Sequence, residues 1–582
     1  MQRQDTAVPP GKTYFDGVYG PVKLSPLIEV IRKQPEFVRL RRIKQLGCAD
    51  YVYSTAVGNR YQHSIGTAIL TKRFLSVFLL SDEKVRKLHE IEEKDITCVE
   101  IAALCHDLGH ALLSHFFDGR FVAEKLPIPD PYDPDNKEKW ITEWNHEIAS
   151  RLLIDIILRR EEVINVLADL GMNEKDTMFI GELIDPDALK NLAPQDPWPM
   201  KGRGEGKAFL YELVSNKRNG IDTDKLDYLA RDSKMCRSKD NLPALDRMFM
   251  NTRIVFEKEN QNRTLLAFEE KLYSEHTIHE IFKARLSNHR QIYQHRDGCA
   301  AELMLGDALN LVQNSYKVEG ADGRLYKLHE AIHCMEAYCK VTDCIIDDIL
   351  QGDMALRLVK IEYGQEEVEK WLQARALINR ALSGDFYVCL GQIEVPPGKV
   401  IHFKHASFYN ALQKHELSSP KTIAAMKKEI VGHTNRQLAI NAEPDVITMD
   451  DLIHREQKYN WGNKEVVKNV FAKCNQYFEQ DKTPMREVPF VQPSKVLPVY
   501  FEQKESAPLE PQTYSEFHIR LYCKKRCAKN EARFELFYIF PLYFYSRLIQ
   551  PRLQKILLWC QAEFHGSPRN GLVHMIKSSV SI

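Results

Sequence analysis

The sequence has 582 residues, 44% hydrophobic and 27% charged, enough for more than one cooperative core and two or three lobes. Eighty Lys and Arg balance eighty Asp and Glu, so no global field draws the protein to nucleic acid, and binding of phosphate has to be local. Thirteen cysteines stand singly with no paired CxxC array, which favours a reducing compartment, nucleus or cytoplasm. The N-terminus has no apolar h-region, and no stretch reaches the ~18 apolar residues of a membrane span.

Residues 1–12 are polar with Pro9-Pro10-Gly11 and read as a disordered arm. Ser25-Pro26 reads as N-cap and first residue of a helix, and a second helix is expected from Pro35 to Leu46. The aromatic and β-branched stretch Gly47 to Asn59 is irregular or a hairpin, and it leads Arg60 and His63 into a helix running to Leu80. Asp95 is expected to cap a central helix extending through Ser114.

That segment, CVEIAALCHDLGHALLSHFFDGR from Cys98, sets His106-Asp107 in a helix-period apolar background and adds His110, His115 and Asp118. A buried carboxylate beside a neutral imidazole is satisfied by a divalent cation, which is the sharper interpretation. For a lone His-Asp pair the more frequent arrangement is a hydrogen-bonded core histidine beside a solvent-facing aspartate. Company shifts the balance: His63 in NRYQHSIG and Asp224 in NGIDTDKLDYLARD complete two imidazoles and two carboxylates, a set suited to Fe, Mn, Zn or Ni.

Further on, residues Pro127 to Lys139 and Asp185 to Gly206 read as loops, Thr142 to Leu158 as a helix beginning near His146, and Phe209 to Val214 as helical. Asp224 and Asp227 can share a helix face, with Asp227 the structural ion-pair partner. His276 to Asn310 reads as strongly helical. Strands are expected in GADGRLYKL, DFYVCLGQIEV, Lys495 to Phe501 and His518 to Cys523, and the tail from Glu535 is densely aromatic around Pro541. The fold class is mainly α, a helical core with a smaller α+β C-terminal lobe. The divisions are 1–12, a core at 13–335 with its metal-binding region at about 60–232, a lobe at 336–534 and a tail at 535–582.

The spaced pattern His63, His106-Asp107 and Asp224 resembles the HD-domain metal-dependent phosphohydrolase superfamily. The stretches YGPVKLSPLIEVIRKQPEFVRLRRIKQLG, LCHDLGHALLSH, FDGRF, AFLYELVSNKRNGIDTDKLDYLARD and NHRQIYQH resemble, within it, the vertebrate sterile-alpha-motif and HD-domain deoxynucleoside triphosphate triphosphohydrolases. The resemblance runs from about Gly11 to Arg296 and is patchy beyond, returning at Ala337-Tyr338 and Arg520 to Lys525. The sequence ahead of it leaves no room for a sterile-alpha-motif domain.

The resemblance implies hydrolysis of deoxynucleoside triphosphates to deoxynucleoside and inorganic triphosphate. That activity lowers dNTP pools, with restriction of viral replication, innate immunity and DNA repair as its setting. It implies Zn, Fe or Mn at His63, His106, Asp107 and Asp224, and Mg with the triphosphate. Water attacks the α-phosphorus and His115, oriented by Asp118 at i+3, protonates the leaving 5′ oxygen, with His110 and His146 in reserve. Arg60, Lys225 and Arg285 take the phosphates; Tyr293 forms the wall against a 2′-hydroxyl. Gln45, Leu46, Asp222, Tyr228, Asp232, His289 and Gln294 line the remaining pocket. A regulatory nucleotide and a homo-oligomer, dimer or tetramer, are implied as well.

The regulatory positions depart from the family: Lys12, Asp16, Arg41, Arg253 and His295 remain, whereas Phe15, Lys33 and Val38 replace an Asn, an Asp and a Gln. Two other readings stay open, an HD-type phosphodiesterase or nuclease on another nucleotide, and a weakly active regulatory or scaffolding paralogue.

Overall fold

The computed structural model describes residues 13–79, 83–187, 195–236, 245–257, 260, 262–395, 470–476, 489–491 and 517–523. The described residues through Phe386, with Phe490–Val491, form one compact unit; Tyr387–Glu394 and strand residues 470–474 and 518–523 belong to a second. Residues 1–12, the candidate strand Lys495 to Phe501 and the tail 535–582 lie outside the described residues. No described helix is long and apolar enough to cross a membrane.

The first unit is a helical body carrying small sheet elements, the mainly α architecture expected from the sequence. A hairpin of β1 (Thr13–Asp16) and β2 (Gly20–Lys23) leads into α1 (Pro26–Ile31), whose N-cap Ser25 hydroxyl accepts from Ile28 N. The expected second helix to Leu46 is shorter: a turn of α-helix at Pro35–Val38 and a 3₁₀ turn at Arg39–Arg42 give way to extended backbone at Ile43. The chain leaves the helix there because Lys44 N donates to the distant Asp343 carboxylate (2.8 Å) and Lys44 bridges Asn59.

Helix α2 (Arg60–Phe78) begins at N-cap Asn59 with a complete capping box through Gln62. Helix α3 (Glu93–Cys105) packs against it, and from Cys98 to Ser114 every residue is buried, so this apolar segment is the centre of the unit. Its N-cap is Glu92, and Asp95 at N3 completes the capping box by accepting from Glu92 N (2.9 Å) while lying buried against Arg203 (2.6 Å) and Lys207 (2.8 Å).

The central helix also stops at Cys105, short of the expected Ser114. Side chains capture the groups that the next turns of helix would have paired. Ser150 Oγ donates to His106 O (2.6 Å) and accepts from Gly109 N (2.8 Å), Tyr338 OH donates to Gly109 O (2.6 Å), and Arg39 Nη2 donates to Leu108 O (2.6 Å). Gly109 is required by contact: a Cβ there would lie 2.0 Å from His146 O and 2.4 Å from Ser150 N.

Helix α4 (His146–Leu158), capped by Asn145, supplies that neighbour, and α5 (Glu174–Ile184) covers α3 from another side. The expected helix at Phe209–Val214 is a 3₁₀ segment, Glu205–Glu212. Helix α6 (Thr223–Cys236) packs on α2, and strands β3 (Thr252–Phe256) and β4 (Thr264–Glu269) pair antiparallel. The predicted run His276 to Asn310 is divided into α7 (Thr277–Asn288), a π-helical turn at His289–Tyr293 and α8 (Arg296–Val312).

The turn predicted in GADGRLYKL joins a short antiparallel pair, β5 (Lys317–Glu319) before it and β6 (Leu325–Lys327) after it. Helices α9 (Cys344–Gln351) and α10 (Gln365–Leu382) then close the first unit; α10 packs along α8, so the unit runs on beyond residue 335. In the second unit β7 (Val388–Val395), β8 (Val470–Gln476) and β10 (Phe517–Cys523) form a sheet in the order β7-β10-β8, while β9 (Phe490–Val491) pairs parallel with β4 in the first.

Candidate active site

Three helices converge on the end of α3. His63 projects from α2, His106 is the C-cap of α3 with Asp107 next to it, and Asp224 lies in the first turn of α6. Their donor atoms face one another. His63 Nε2 is 2.9 Å from Asp224 Oδ1, 3.3 Å from His106 Nε2 and 3.4 Å from Asp107 Oδ2; His106 Nε2 is 3.2 Å from Asp224 Oδ1 and 3.5 Å from Asp107 Oδ1. Adjacent ligands around a cation with bonds of about 2.0–2.2 Å stand roughly 3.0–3.4 Å apart, so the spacing fits a small divalent ion.

The tautomers fit too. His106 Nδ1 lies 2.8 Å from the carbonyl of Ala103, which can only accept, and His63 Nδ1 lies 2.7 Å from Asp227 Oδ2. Both rings thus carry hydrogen on Nδ1 and turn Nε2 toward the common centre. Although burial opposes charge on His63, the Asp224 and Asp227 carboxylates raise its pKa to about 10, and Asp107 and Asp224 raise that of His106. Burial likewise raises the carboxylates, but Arg60, His106 and His110 hold Asp107 well below its ordinary value, and His106 and His63 do the same to Asp224. A cation held by these four residues would take the place of those protons.

Asp107 is 3% exposed, which rules out the more frequent arrangement of a core histidine beside a solvent-facing aspartate. Arg60, 4% exposed, holds it at 2.6 Å while donating to Ser114 Oγ (2.9 Å) and Gln45 O (3.3 Å). Asp227 combines two jobs. It is the ion-pair partner of Arg231, accepting at 2.9 and 3.0 Å, and it also fixes the His63 ring; Arg231 reaches on to Asp16 at 3.1 Å. Such outer-shell carboxylates govern ligand orientation, so Asp227→Asn is expected to weaken divalent-cation affinity roughly 10–100-fold. Equilibrium dialysis against Mn²⁺ or Zn²⁺ checks this, and wild-type affinity in a folded variant would remove Asp227 from the centre.

Beside this cluster lies a second group: His110, His115, Asp118 and His146. Here the structure corrects the pairing read from the sequence. Asp118 Oδ2 accepts from His146 Nδ1 (2.7 Å) and from His146 N (3.1 Å), and no hydrogen bond joins it to His115. The π-helical turn Phe117–Val122 replaces the helix geometry that an i, i+3 pair requires and directs the carboxylate to α4. His146 stacks on His110 with ring centroids 4.0 Å apart, and His115 meets both rings edge-on at 4.7 and 5.1 Å. Because Asp118 and His146 satisfy each other, this group does not need a cation.

The imidazoles are tuned apart. Against the effect of burial, Glu147 and Asp118 raise His146 to about 9, and the His146 hydrogen bond pulls Asp118 down. Burial and the Arg60 and His146 cations keep His110 well below its ordinary value. His115 opens to solvent, yet the crowded cleft walls with Arg60 and His146 lower it to about 4.

A basic rim lies next to these rings. Lys225 stands 3.9 Å from Asp222, Arg285 Nε donates to Tyr228 OH (3.2 Å), and burial together with the Arg285 and Lys225 cations keeps His289 neutral. Tyr293 OH donates to Asp232 Oδ2 (2.9 Å), and burial pushes Asp232 up to about 7. Leu46 and Tyr293 pack on one apolar cluster, Gln45 Oε1 is buried without a hydrogen-bond partner, and Gln294 accepts from Cys299 Sγ (3.7 Å).

The regulatory candidates are engaged separately. Asp16 caps Val18 and Tyr19, Arg41 stacks 3.7 Å over Tyr61, Arg253 pairs with Glu269, and His295 accepts from Asp297 N at the start of α8. Lys12 lies outside the described residues. Sequence reasoning missed Ser114, Ser150, Glu147 and Arg231. Only the i, i+4 spacing of Asp227 and Arg231 on α6 carried a signal.

A buried His-Asp pair joined by a second histidine and a distant aspartate on packed helices defines an HD-domain protein, and the HD domain family model matches residues 60–170. The deoxynucleoside triphosphate triphosphohydrolase SAMHD1 of Homo sapiens is 31% identical over 523 residues, covering 88% of this chain and 70% of the human protein. That of Gallus gallus is 31% identical over 520 residues, covering 88% and 72%, and the SAMHD1 homolog of Dictyostelium discoideum is 26% identical over 316 residues, covering 53% and 50%. The chain belongs to the SAMHD1 family of HD-domain deoxynucleoside triphosphate triphosphohydrolases.

Proposed function

We propose that this protein hydrolyses deoxynucleoside triphosphates to the deoxynucleoside and inorganic triphosphate and so lowers dNTP pools. The observation that carries this reading is the convergence of His63, His106 and Asp224, with Asp107 3.4 and 3.5 Å from the two imidazoles, next to a paired, protonated imidazole. A divalent cation held by these four residues, with Fe, Mn and Zn all suited to the donor set, supplies Lewis-acid polarisation and lowers the pKa of an attacking water.

The chain's own groups do the rest. Arg60 fixes Asp107; Lys225 and Arg285 neutralise the triphosphate, with Mg²⁺ accompanying it. His115, open to the cleft and neutral in the free protein, takes up a proton from solvent as the negative charge of the bound triphosphate offsets Arg60 and His146, and gives it to the departing 5′ oxygen, while the His146–Asp118 pair beside it holds positive charge where negative charge develops. Tyr293, braced on Asp232, forms the wall that a 2′-hydroxyl would strike, and Gln45 offers its unpartnered oxygen to the sugar. Restriction of viral replication follows from the same chemistry, since a polymerase starved of dNTPs stalls. A homo-oligomer, dimer or tetramer, belongs to the same reading.

The test is incubation of purified protein with each dNTP and Mn²⁺ or Mg²⁺, followed by separation of products. Intact triphosphate is expected; pyrophosphate, or cleavage of phosphodiesters alone, would favour the phosphodiesterase reading. Control by guanosine triphosphate is expected to be weak. Guanine needs acceptors for its N1 and N2 hydrogens, whereas Lys33 only donates and Val38 is apolar. Each unpaired group costs about 1–3 kcal/mol, roughly one to two decades of affinity. Hydrolysis of a pyrimidine dNTP is expected to change little on adding guanosine triphosphate; strong stimulation with tetramer formation in sedimentation would overturn the argument.

A further inference from the structure

We propose that Asp343, far from the motif in sequence, is a positioning residue for the reaction, its one carboxylate holding both the turn that presents His115 and the turn that presents Gln45. Oδ1 accepts from Leu113 N at 2.7 Å and Oδ2 from Lys44 N at 2.8 Å. Leu113 and Ser114 have φ of 56° and 57°, two consecutive non-glycine residues in the left-handed region, immediately before His115. Such backbone relaxes unless its surroundings over-determine it.

The surroundings are specific. Ser114 Oγ donates to Lys44 O (2.7 Å) and accepts from Arg60 Nε (2.9 Å), so the two turns are tied to each other and to the Arg60–Asp107 pair. At Gly47, φ is +52° and a Cβ would sit 3.0 Å from Leu113 O, so the turns also meet backbone to backbone. Asp343 is itself placed by its own N–H to Arg42 O (3.0 Å) and by α9, whose Ile345, Ile346 and Ile349 are buried. Only a carboxylate offers two acceptors in this fork; the amide of asparagine offers one, and its NH₂ would face a donor.

This inference rests on the role proposed for His115, and the experiment separates the two. Asp343→Asn and Asp343→Ala are measured, as full-length protein, for cation content, Tm, kcat and KM. The substrates are a dNTP and its analogue with sulfur in place of the bridging 5′ oxygen, whose thiolate leaves without a proton. Expected is a loss of kcat of tenfold or more on the dNTP with wild-type cation content, and recovery of most of it on the thio analogue. Equal losses on both substrates would reduce Asp343 to a structural role, and wild-type kinetics in both variants would end the proposal. His115→Ala is run in parallel. If its turnover on the dNTP is undiminished, the reading of His115 fails and this proposal with it; if His115→Ala is crippled while the Asp343 variants are not, Asp343 alone is wrong.

Discussion

Replacing His106 or Asp107 with alanine is expected to remove the bound divalent cation and, with it, turnover. His106 Nε2 lies 3.2–3.5 Å from donor atoms of the other three residues and the Asp107 carboxylate 3.4 and 3.5 Å from the two imidazoles, and both residues are buried, so loss of either leaves neighbours uncompensated rather than rearranged. A Lewis acid contributes several kcal/mol of transition-state stabilisation, and each 1.36 kcal/mol is a factor of ten, so the loss is roughly 10³-fold or more. Asp107→Ala also strands the Arg60 guanidinium, 4% exposed, which predicts a lower Tm than in His106→Ala. Metal analysis of the two proteins and of the double variant decides the matter. Full cation content in the double variant would remove this assignment.

His115→Ala is expected to lower turnover roughly 10²-fold or more with nucleotide binding largely kept, as befits a proton donor to the leaving group. Asp118→Asn acts elsewhere, through His146. With the carboxylate gone, the His146 pKa falls from about 9 toward the ordinary imidazole value near 6.5, so its positive charge is lost across the neutral range. The sign follows: activity of Asp118→Asn holds at low pH and falls as pH rises through neutrality, whereas the wild-type protein keeps it to about 9. The stability linked to the raised His146 pKa is likewise fully present below about 6.5 and is lost as pH rises through about 9. Single-turnover rates against pH test both variants, and an Asp118→Asn profile superimposable on wild type would show that the pair does not act in catalysis.

Features governed by local chemistry were legible in the amino-acid order. Ser25-Pro26 starts its helix because a hydroxyl and a proline are adjacent, and the arrival of Arg60 and His63 on a helix was readable because the first turn fixes their spacing. The candidate cation residues were found as a set because two imidazoles and two carboxylates recur in sequence contexts that resemble one family; their roles remain as proposed above. The rest depends on contacts between segments remote in sequence. The central helix ends at Cys105 because Ser150, Arg39 and Tyr338, all remote in sequence, offer its backbone better partners than the next turn would. Asp118 had a histidine three residues before it and another 28 residues after it, and the π-helical turn selected the second. Asp343 lies 230 residues from one amide it holds and 299 from the other, a separation at which no periodicity or cap leaves a trace. A backbone amide's distant partner is fixed by the packing of whole helices, and that information is absent from any one segment.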